Sequence, residues 1–306
     1  MRFETYVDDS LHSAPDQVAA EEDAKSFEYV LGLGGINVKG FTFARRPPPP
    51  EVSTDEKTVG LLGVMWTTKE DVISAEVKPL YFGKPKRGKL PPLHEGDLKS
   101  ALREKFTKRE VLSQLARLYD PLGLLTPLTV QYKLGFSAIC DLKSSWDEKL
   151  PLSLLDDWVE NIQEIQVAKN VVFKRAVIPS DAASTDLSVI ISADASQYAS
   201  ASCAHVRVPL KSGGFSVQLF CARSKLTKNA TIPKSEMRAA VLGASLGHIV
   251  KCNLGDKCSE IVYVTDSSIA LHWINSDSRP LETFVRNAVV EVRRLSDPGE
   301  WYHVPS

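Results

Sequence analysis

Three carboxylates occupy positions at which an α/β protein can do chemistry. Asp194 follows the apolar run Leu187–Ala193, and Asp266 follows the β-branched and aromatic run Ile261–Val264, so each is predicted at the end of a buried strand. Glu236 is predicted in the first turn of an Ala- and Leu-rich helix. The carboxyl ends of parallel strands, where helices begin, are common site positions in α/β sheets. A structural interpretation stays open, because Asp and Glu are also ordinary helix-start residues.

A second acidic pair, Asp8 and Asp9, separates two short strand-like runs within Phe3–Leu11. Two adjacent carboxylates at a turn tip can bind a divalent metal through oxygen. A plain hairpin turn explains them equally well, since Asp favours turn positions.

A basic segment between Lys78 and Lys89 interleaves cations with aromatic side chains. Such a segment can grip a nucleic-acid backbone and stack on bases, although a solvated charged loop is the simpler interpretation. The candidate nucleic-acid contacts are Lys84, Lys86, Arg87 and Lys89.

Composition predicts a globular protein without a global signal for nucleic acid. The 306 residues are 43% hydrophobic and 25% charged, with a net charge of −1, so any nucleic-acid contact must use local patches. The five cysteines lack paired zinc spacing and indicate reduced thiols in an intracellular protein, with Cys252 and Cys258 as an alternative metal half-site. No apolar run approaches ~18 residues and no signal peptide begins at Met1, so we expect no membrane partner.

The first third of the chain predicts a hairpin, a helix and further strands. Ser13 is the predicted cap of a helix that ends at Gly34, and Ile36–Phe43 reads as a strand. The prolines Pro47–Pro50 form a stiff connector, after which Thr58–Trp66 resumes as a strand.

The remainder predicts helices and then a mixed sheet. A capping box at Thr107–Glu110 opens a helical middle section that includes Pro127–Cys140 and Ser153–Val167. Three sequential strands from Leu187 to Ala222 are then followed by helix, strand, helix and a last strand at Trp301–Val304. This order predicts an α/β fold with a mixed sheet and helices on its faces.

Strand-Asp, helix-Glu and strand-Asp in this order resemble the ribonuclease H fold of retroelement polyproteins. Seven segments together resemble the Pol polyprotein of Bel/Pao-type retrotransposons, and Thr107–Pro127 is the most specific of them. The seven are Tyr6–Asp9, Leu61–Trp66, Thr107–Pro127, Asp194–Ser196, Ile232–Glu236, Val264–Ser267 and Trp301–Ser306.

The resemblance implies four parts: a partial reverse transcriptase palm (1–46), a thumb-like segment with the Pro-rich linker (47–106), a helical connection (107–170) and a truncated ribonuclease H-like domain (171–306). Related polymerases need a third carboxylate, expected before Met1, beside Asp8 and Asp9. Related ribonuclease H domains carry a fourth carboxylate, expected after Ser306. His303 is not expected to replace it, because it lies in a strand. We therefore expect a fragment of a longer polyprotein or a decayed copy.

The resemblance implies that the intact parent is an RNA-directed DNA polymerase and a ribonuclease H, which hydrolyses the RNA strand of an RNA–DNA hybrid. For this chain alone we expect weak or absent hybrid cleavage, because the fourth carboxylate is missing. Asp194, Glu236 and Asp266 are expected to converge within roughly 8 Å and to hold two Mg²⁺ or Mn²⁺ ions about 4 Å apart, with Asp194 bridging them. Ser196 and Ser267 are candidates for contacting the RNA 2′-hydroxyl, although a turn and a helix cap explain them as well.

Two alternatives stay open from the sequence. One is a non-catalytic nucleic-acid-binding remnant with the same fold, and the other is an unrelated nuclease or transposase that shares the carboxylates. The expected partners are an RNA–DNA hybrid or another nucleic acid and the remainder of the polyprotein. The expected location is intracellular, in a cytoplasmic particle or the nucleus.

Overall fold

The computed structural model describes residues 4–6, 9–52, 57–77, 98–116, 118–168, 170–228, 230–276 and 280–305. The chain divides into two compact units, residues 1–76 with 169–176 and residues 77–168 with 177–306. The four-part division expected from the sequence stays a prediction. None of the described helices is both long and apolar enough to cross a membrane.

The described strands and helices follow one another as the sequence broadly predicts. The strands are β1 (Glu4–Tyr6), β2 (Asp9–Leu11), β3 (Thr58–Leu61), β4 (Val64–Thr67), β5 (Val72–Val77), β6 (Leu118–Tyr119), β7 (Phe173–Lys174), β8 (Leu187–Ala195), β9 (Ala199–Pro209), β10 (Phe215–Leu226), β11 (Cys258–Thr265) and β12 (Trp301–His303). The helices are α1 (Gln17–Leu33), α2 (Leu98–Lys105), α3 (Lys108–Leu115), α4 (Thr126–Asp141), α5 (Leu155–Ala168), α6 (Ile232–Leu254), α7 (Ser268–Asn275) and α8 (Thr283–Leu295).

In the first unit, helix α1 follows the β1–β2 hairpin. Its cap is Asp16, whose carboxylate accepts a hydrogen bond from the Ala19 amide at 2.9 Å. The prediction of a cap at Ser13 is therefore wrong. The helix stops at Gly34, where the prediction placed its end.

Two strand predictions in the first unit are also wrong. Ile36–Phe43 contains no strand, and Phe41 there packs edge-on against Phe27 of α1, with ring centroids 6.4 Å apart. Thr58–Trp66 is two antiparallel strands, β3 and β4, joined at Leu62 and Gly63. Both turn residues have positive φ, 50° and 88°, which is the backbone twist that a two-residue hairpin requires.

In the second unit, five strands form the predicted mixed sheet, in the order β10-β9-β8-β11-β12. Strands β8, β9 and β10 are antiparallel neighbours, whereas β11 runs parallel to both β8 and β12. Burial alternates along β8, so one face of the sheet is packed. The antiparallel hairpins and the parallel return through α6 confirm the predicted α/β class.

Helix α6 packs on that buried face at very short range. Gly243 lies against Ile191 and Ala193 of β8, and an added Cβ at Gly247 would lie 2.6 Å from Cε1 of Tyr263 on β11. Tyr263 in turn stacks on Trp301 of β12, with ring centroids 4.8 Å apart. Glycine is therefore required at position 247, whereas an added Cβ at Gly243 would lie 3.3 Å from the Ala193 Cβ, a tight contact.

The helical section of the second unit is joined to the sheet at the edge strand β10. Asp120 accepts hydrogen bonds from the amides of Leu124 and Leu125 and so satisfies donors at the start of α4. Gly123, at φ +70°, lets the chain approach so closely that the Ala222 amide donates to the Leu122 carbonyl at 2.8 Å. The segment Thr107–Pro127, which resembles Bel/Pao proteins most specifically, therefore joins the helical section to strand β10.

The capping box predicted at Thr107 is present in part and is extended by a buried lysine. Thr107 Oγ1 accepts from the Glu110 amide at 3.2 Å. Lys108, 6% exposed, donates through Nζ to the carbonyl of Leu142 at 2.7 Å and so neutralises the C-terminal end of α4.

The close approach of α6 to the sheet gives a stability prediction. Gly247→Ala should destabilise the protein by about 2–3 kcal/mol, because the added methyl overlaps Tyr263. Gly135→Ala is the matched control: Gly135 is also helical, and its added Cβ would meet only Trp158 at 3.9 Å. It should stabilise the protein by up to about 1 kcal/mol through helix propensity. Urea unfolding measures both, and equal effects would contradict the packing described for α6.

Candidate functional site

The structure brings Asp194, Glu236 and Asp266 together at one edge of the mixed sheet. One ligand oxygen from each residue lies within 4.8 Å of the other two. Asp194 and Asp266 are exposed, while Glu236 is only 8% exposed. The convergence expected from the sequence is therefore present, whereas the roles of the residues as metal ligands stay a prediction.

The two aspartates meet because their strands are parallel neighbours. Strand β8 carries Asp194 near its end, and β11 pairs with it in parallel, from Glu260 opposite Ser188 to Val264 opposite Ser192. Asp266 follows β11 directly, so both carboxylates emerge at the carboxyl edge of the sheet.

Glu236 reaches the same edge from helix α6. The helix begins at Ile232, so Glu236 lies beyond the first turn, and the prediction of a first-turn position is wrong. The start of the helix is fixed by Ser200 of β9, whose buried hydroxyl donates to the Ser235 carbonyl at 2.8 Å. This bond holds the backbone next to Glu236 against the sheet.

Burial and two neighbouring carboxylates raise the pKa of Glu236. Removal from solvent is the largest cause, followed by the charges of Asp194 and Asp266, and a hydrogen bond from the Ala195 amide opposes them. Together they raise the pKa from 4.5 to about 7. The Glu236 carboxyl therefore holds a proton near neutral pH unless a cation compensates its charge.

One oxygen of Glu236 has no partner within the part of the chain that the structure describes. Its Oε2 atom is buried and receives no hydrogen bond. A buried acceptor facing two exposed carboxylates matches the requirement of a hard cation for oxygen ligands. The donor set contains only oxygen, which suits Mg²⁺ or Mn²⁺ better than zinc. The residues therefore fit a divalent metal.

His303 lies at the rim of the site and contacts its backbone. The imidazole Nε2 is 3.0 Å from the Asp266 carbonyl oxygen, and the Val304 amide donates to the Thr265 carbonyl at the same distance. A carbonyl only accepts, so Nε2 carries the hydrogen of this bond. Among the sequence-based expectations, His303 stood only as a residue not expected to replace the fourth carboxylate, so this contact was missed. The available signal was Trp301, two positions earlier, which stacks on Tyr263 in the strand pair β11–β12.

The two candidate serines make the hydrogen bonds expected of a turn residue and a helix cap. Ser196 Oγ accepts from the amides of Tyr198 and Ala199 in the β8–β9 turn. Ser267 Oγ accepts from the Ala270 amide at 3.2 Å and caps α7. Ser196 Oγ also donates to the Ala199 carbonyl at 3.4 Å, whereas the Ser267 hydroxyl keeps a hydrogen to donate. Both stay candidates for substrate contact.

Most of the other predicted site residues lie outside the part of the chain that the structure describes. Asp9 is exposed at the start of β2, and Asp8 lies outside the described residues. The basic segment lies outside them as well, so its predicted nucleic-acid contacts stay predictions; these are Lys84, Lys86, Arg87 and Lys89. Among the described residues, Cys252 and Cys258 belong to no cluster of three potential metal ligands.

A family comparison covers the site. Residues 107–267, more than half of the 306, match the family model described as the Pao retrotransposon-like RNaseH-like domain. The matched segment contains all three carboxylates and the segment Thr107–Pro127. No curated protein matches the chain significantly.

Solved structures give weaker similarities. The N-terminal RNase H domain from Mycobacterium tuberculosis, solved as a fusion with maltose binding protein, is 15% identical over 39% of this chain and 84% of that one, with a TM-score of 0.27. RNase H1 from Halobacterium salinarum is 15% identical over 39% and 86%, with a TM-score of 0.26. A foamy viral protease-reverse transcriptase in complex with double-stranded DNA is 12% identical over 99% of this chain and 54% of that one, with a TM-score of 0.45. TM-scores below 0.5 support no inference from these similarities.

The raised pKa of Glu236 gives a pH-dependent stability prediction. Because the folded-state pKa is raised, ionising Glu236 costs stability as pH rises from about 4.5 through about 7. Without metal, Glu236→Gln should therefore stabilise the protein by about 2–3 kcal/mol at pH 8 and by almost nothing at pH 4.5. Glu160→Gln, on an exposed position of α5, is the control. Urea titrations at both pH values measure the difference, and a pH-independent effect would contradict it.

The contact of His303 gives a second prediction about the site. His303→Ala should weaken Mn²⁺ binding about tenfold, because the Asp266 backbone loses a bond that holds it. His303→Gln should retain affinity, since its amide NH₂ can donate to the same carbonyl. Tyr302→Ala, at an exposed neighbouring position, is the control. Calorimetric titration measures the affinities; equal values for the Ala and Gln variants would show that the bond does not position Asp266.

Proposed function

The chain belongs to the Pao retrotransposon-like RNaseH-like domain family, and we propose on that premise that it hydrolyses the RNA strand of RNA–DNA hybrids. The observation that carries the proposal is the convergence of Asp194, Glu236 and Asp266, with a buried and unpartnered oxygen on Glu236. A family that hydrolyses phosphodiesters needs such an oxygen cluster at an open edge, and this edge is exposed at both aspartates.

The three carboxylates are proposed to bind Mg²⁺ or Mn²⁺. When bound, these ions would supply activation of a water molecule and stabilisation of the leaving oxygen. In the hydrolysis, the water loses a proton as its oxygen forms a P–O bond, the P–O bond to the leaving oxygen breaks, and the leaving oxygen takes a proton. Asp194 is the proposed shared ligand, because its strand lies beside that of Asp266 and beneath α6.

Glu236 is proposed to couple metal binding to proton release. Its pKa of about 7 reflects burial and the negative charges of Asp194 and Asp266. A bound cation would compensate those charges and so lower the pKa of Glu236. Glu236 therefore gives up its proton as the cation binds. Metal affinity is expected to rise with pH up to the pH at which Glu236 is already ionised in the metal-free protein.

Recognition of RNA is proposed to use groups beside Asp194 and Asp266. Ser196 and Ser267 follow these carboxylates closely in the chain. Ser267 keeps a hydroxyl hydrogen that can be donated to a 2′-hydroxyl, whereas Ser196 would first have to release its bond to the Ala199 carbonyl. The remainder of a polyprotein stays a predicted partner.

Digestion of a labelled RNA–DNA hybrid with Mg²⁺ tests the proposed function. We expect weak but measurable cleavage of the hybrid by the unmodified chain, because its three clustered carboxylates can place metal, and no cleavage of single-stranded RNA or double-stranded DNA. Asp194→Asn should reduce the rate by more than about 100-fold, because a neutral amide is a poor ligand for two cations. Substitution of residues that only hydrogen-bond metal ligands already costs about 10–100-fold, so loss of a ligand should cost more. Asp186→Asn, an exposed aspartate at the opposite end of β8, should leave the rate unchanged.

Two outcomes would contradict the proposal in different ways. Cleavage that survives Asp194→Asn would remove the metal assignment. Hybrid binding without any cleavage would favour the non-catalytic nucleic-acid-binding alternative.

A further inference from the structure

A cleft of about 650 Å³ opens between the end of β10 and the helices α6 and α8. Its lining is mostly apolar, with Leu226, Val241 and Phe284 among the residues that form it. Nothing in the proposed hydrolysis uses this cleft. Its size is in the range of sites that hold small ligands or short chain segments.

Cations dominate the charged groups of the cleft. Lys225 and Lys228 come from the end of β10 and the residues after it, and Arg238 comes from α6. The guanidinium of Arg238 lies over the Phe284 ring, 5.2 Å from its centroid. The acid of the lining, Glu291, is already paired with Arg294 at 2.7 Å.

The pairing of Lys228 does not prevent it from binding another anion. Its Nζ is 2.9 Å from Asp141, but the two side chains are 55% and 68% exposed. Exposed pairs of this kind contribute little and are screened by salt, so a phosphate can replace the carboxylate.

The cleft lies on the same edge of the sheet as the three carboxylates. Asp194 pairs with Ala201 of β9, which pairs with Ser224 of β10, the residue before Lys225. Two strand spacings separate the two positions by about 10 Å. At the spacing of about 3.4 Å between successive nucleotides of one strand along a duplex, this distance corresponds to about three nucleotides of a strand that keeps its helical stacking.

We propose that this cleft binds a single-stranded nucleic-acid tail that leaves the hybrid at the cleavage site, an inference that rests on the proposed function. The cations contact phosphates, and the apolar lining with the Phe284 edge accepts a base. Cations combined with an aromatic and apolar surface are the features by which proteins hold single strands without sequence preference.

The shape and charge of the cleft decide between possible occupants. A double helix is too wide to enter a cleft of this volume, whereas one splayed strand fits. An acidic peptide would match the cations, but it would not account for their position about three nucleotides from the carboxylates.

Binding measurements without cleavage test the proposal. The protein carries Asp194→Asn and is studied without divalent metal, by fluorescence anisotropy. The probes are a blunt RNA–DNA hybrid and the same hybrid with a single-stranded tail of about five nucleotides, in DNA and RNA versions. We expect the tail to tighten binding about tenfold.

The double variant Lys225→Gln/Arg238→Gln should abolish the advantage of the tail. The slope of log Kd against log salt for the tailed probe should fall by about 1.4, at about 0.7 for each phosphate contact on a single strand. The matched control is Lys211→Gln/Lys257→Gln, which removes two exposed lysines near the opposite edge of the sheet and should retain the tail effect. Phe284→Leu should weaken tailed binding and leave the salt slope unchanged.

Each result bears on a different proposal. An unchanged tail effect in the cleft variant, or an equal loss for blunt and tailed probes, would overturn the cleft assignment. Loss of polyglutamate binding in the cleft variant, while the tail still tightens hybrid binding, would overturn the assignment in favour of an acidic peptide. Loss of the tail effect together with absent cleavage in the digestion assay would support the cleft and contradict only the hydrolysis.

Discussion

The close approach of α6 to the mixed sheet is the constraint on which the site depends. Gly243 and Gly247 remove the side chains that would hold the helix away, and the Ser200 hydroxyl fixes its first turn. The helix then carries Glu236 over the end of β8, where the helix and sheet exclude solvent from it. A bulkier residue at Gly247 would overlap Tyr263 and disturb the contact between the sheet and the helix that carries Glu236, so packing and the site share one element of this fold.

This arrangement stores an electrostatic cost. Three carboxylates within 4.8 Å of one another repel, and burial of Glu236 adds the loss of solvation. Protonation of Glu236 relieves part of the cost and a cation relieves more. A cost that a cation would relieve is a property expected of binding sites rather than of structural cores.

The sequence predicted the parts that depend on local pattern. Apolar runs located β8 and β11, and the parallel return through α6 brought their carboxylates together. It failed where distant residues decide the structure: Phe27 and Phe41 pack on each other where a strand was expected, and His303 bonds to a carbonyl 37 positions away. Such contacts leave no periodic signal, because they follow from tertiary packing and not from the neighbours of each residue in the chain.

The net charge of −1 conceals a separation of charge along one edge of the sheet. Carboxylates gather at the ends of β8 and β11, and cations gather two strands away at the end of β10. A polyanion approaching this edge is repelled at one end and attracted at the other, unless cations occupy the carboxylates. Metal binding, as proposed, would change the edge from one that orients nucleic acid toward the cleft to one that attracts it along its whole length. The same carboxylates that are proposed to do chemistry would thereby control when the substrate lies across them.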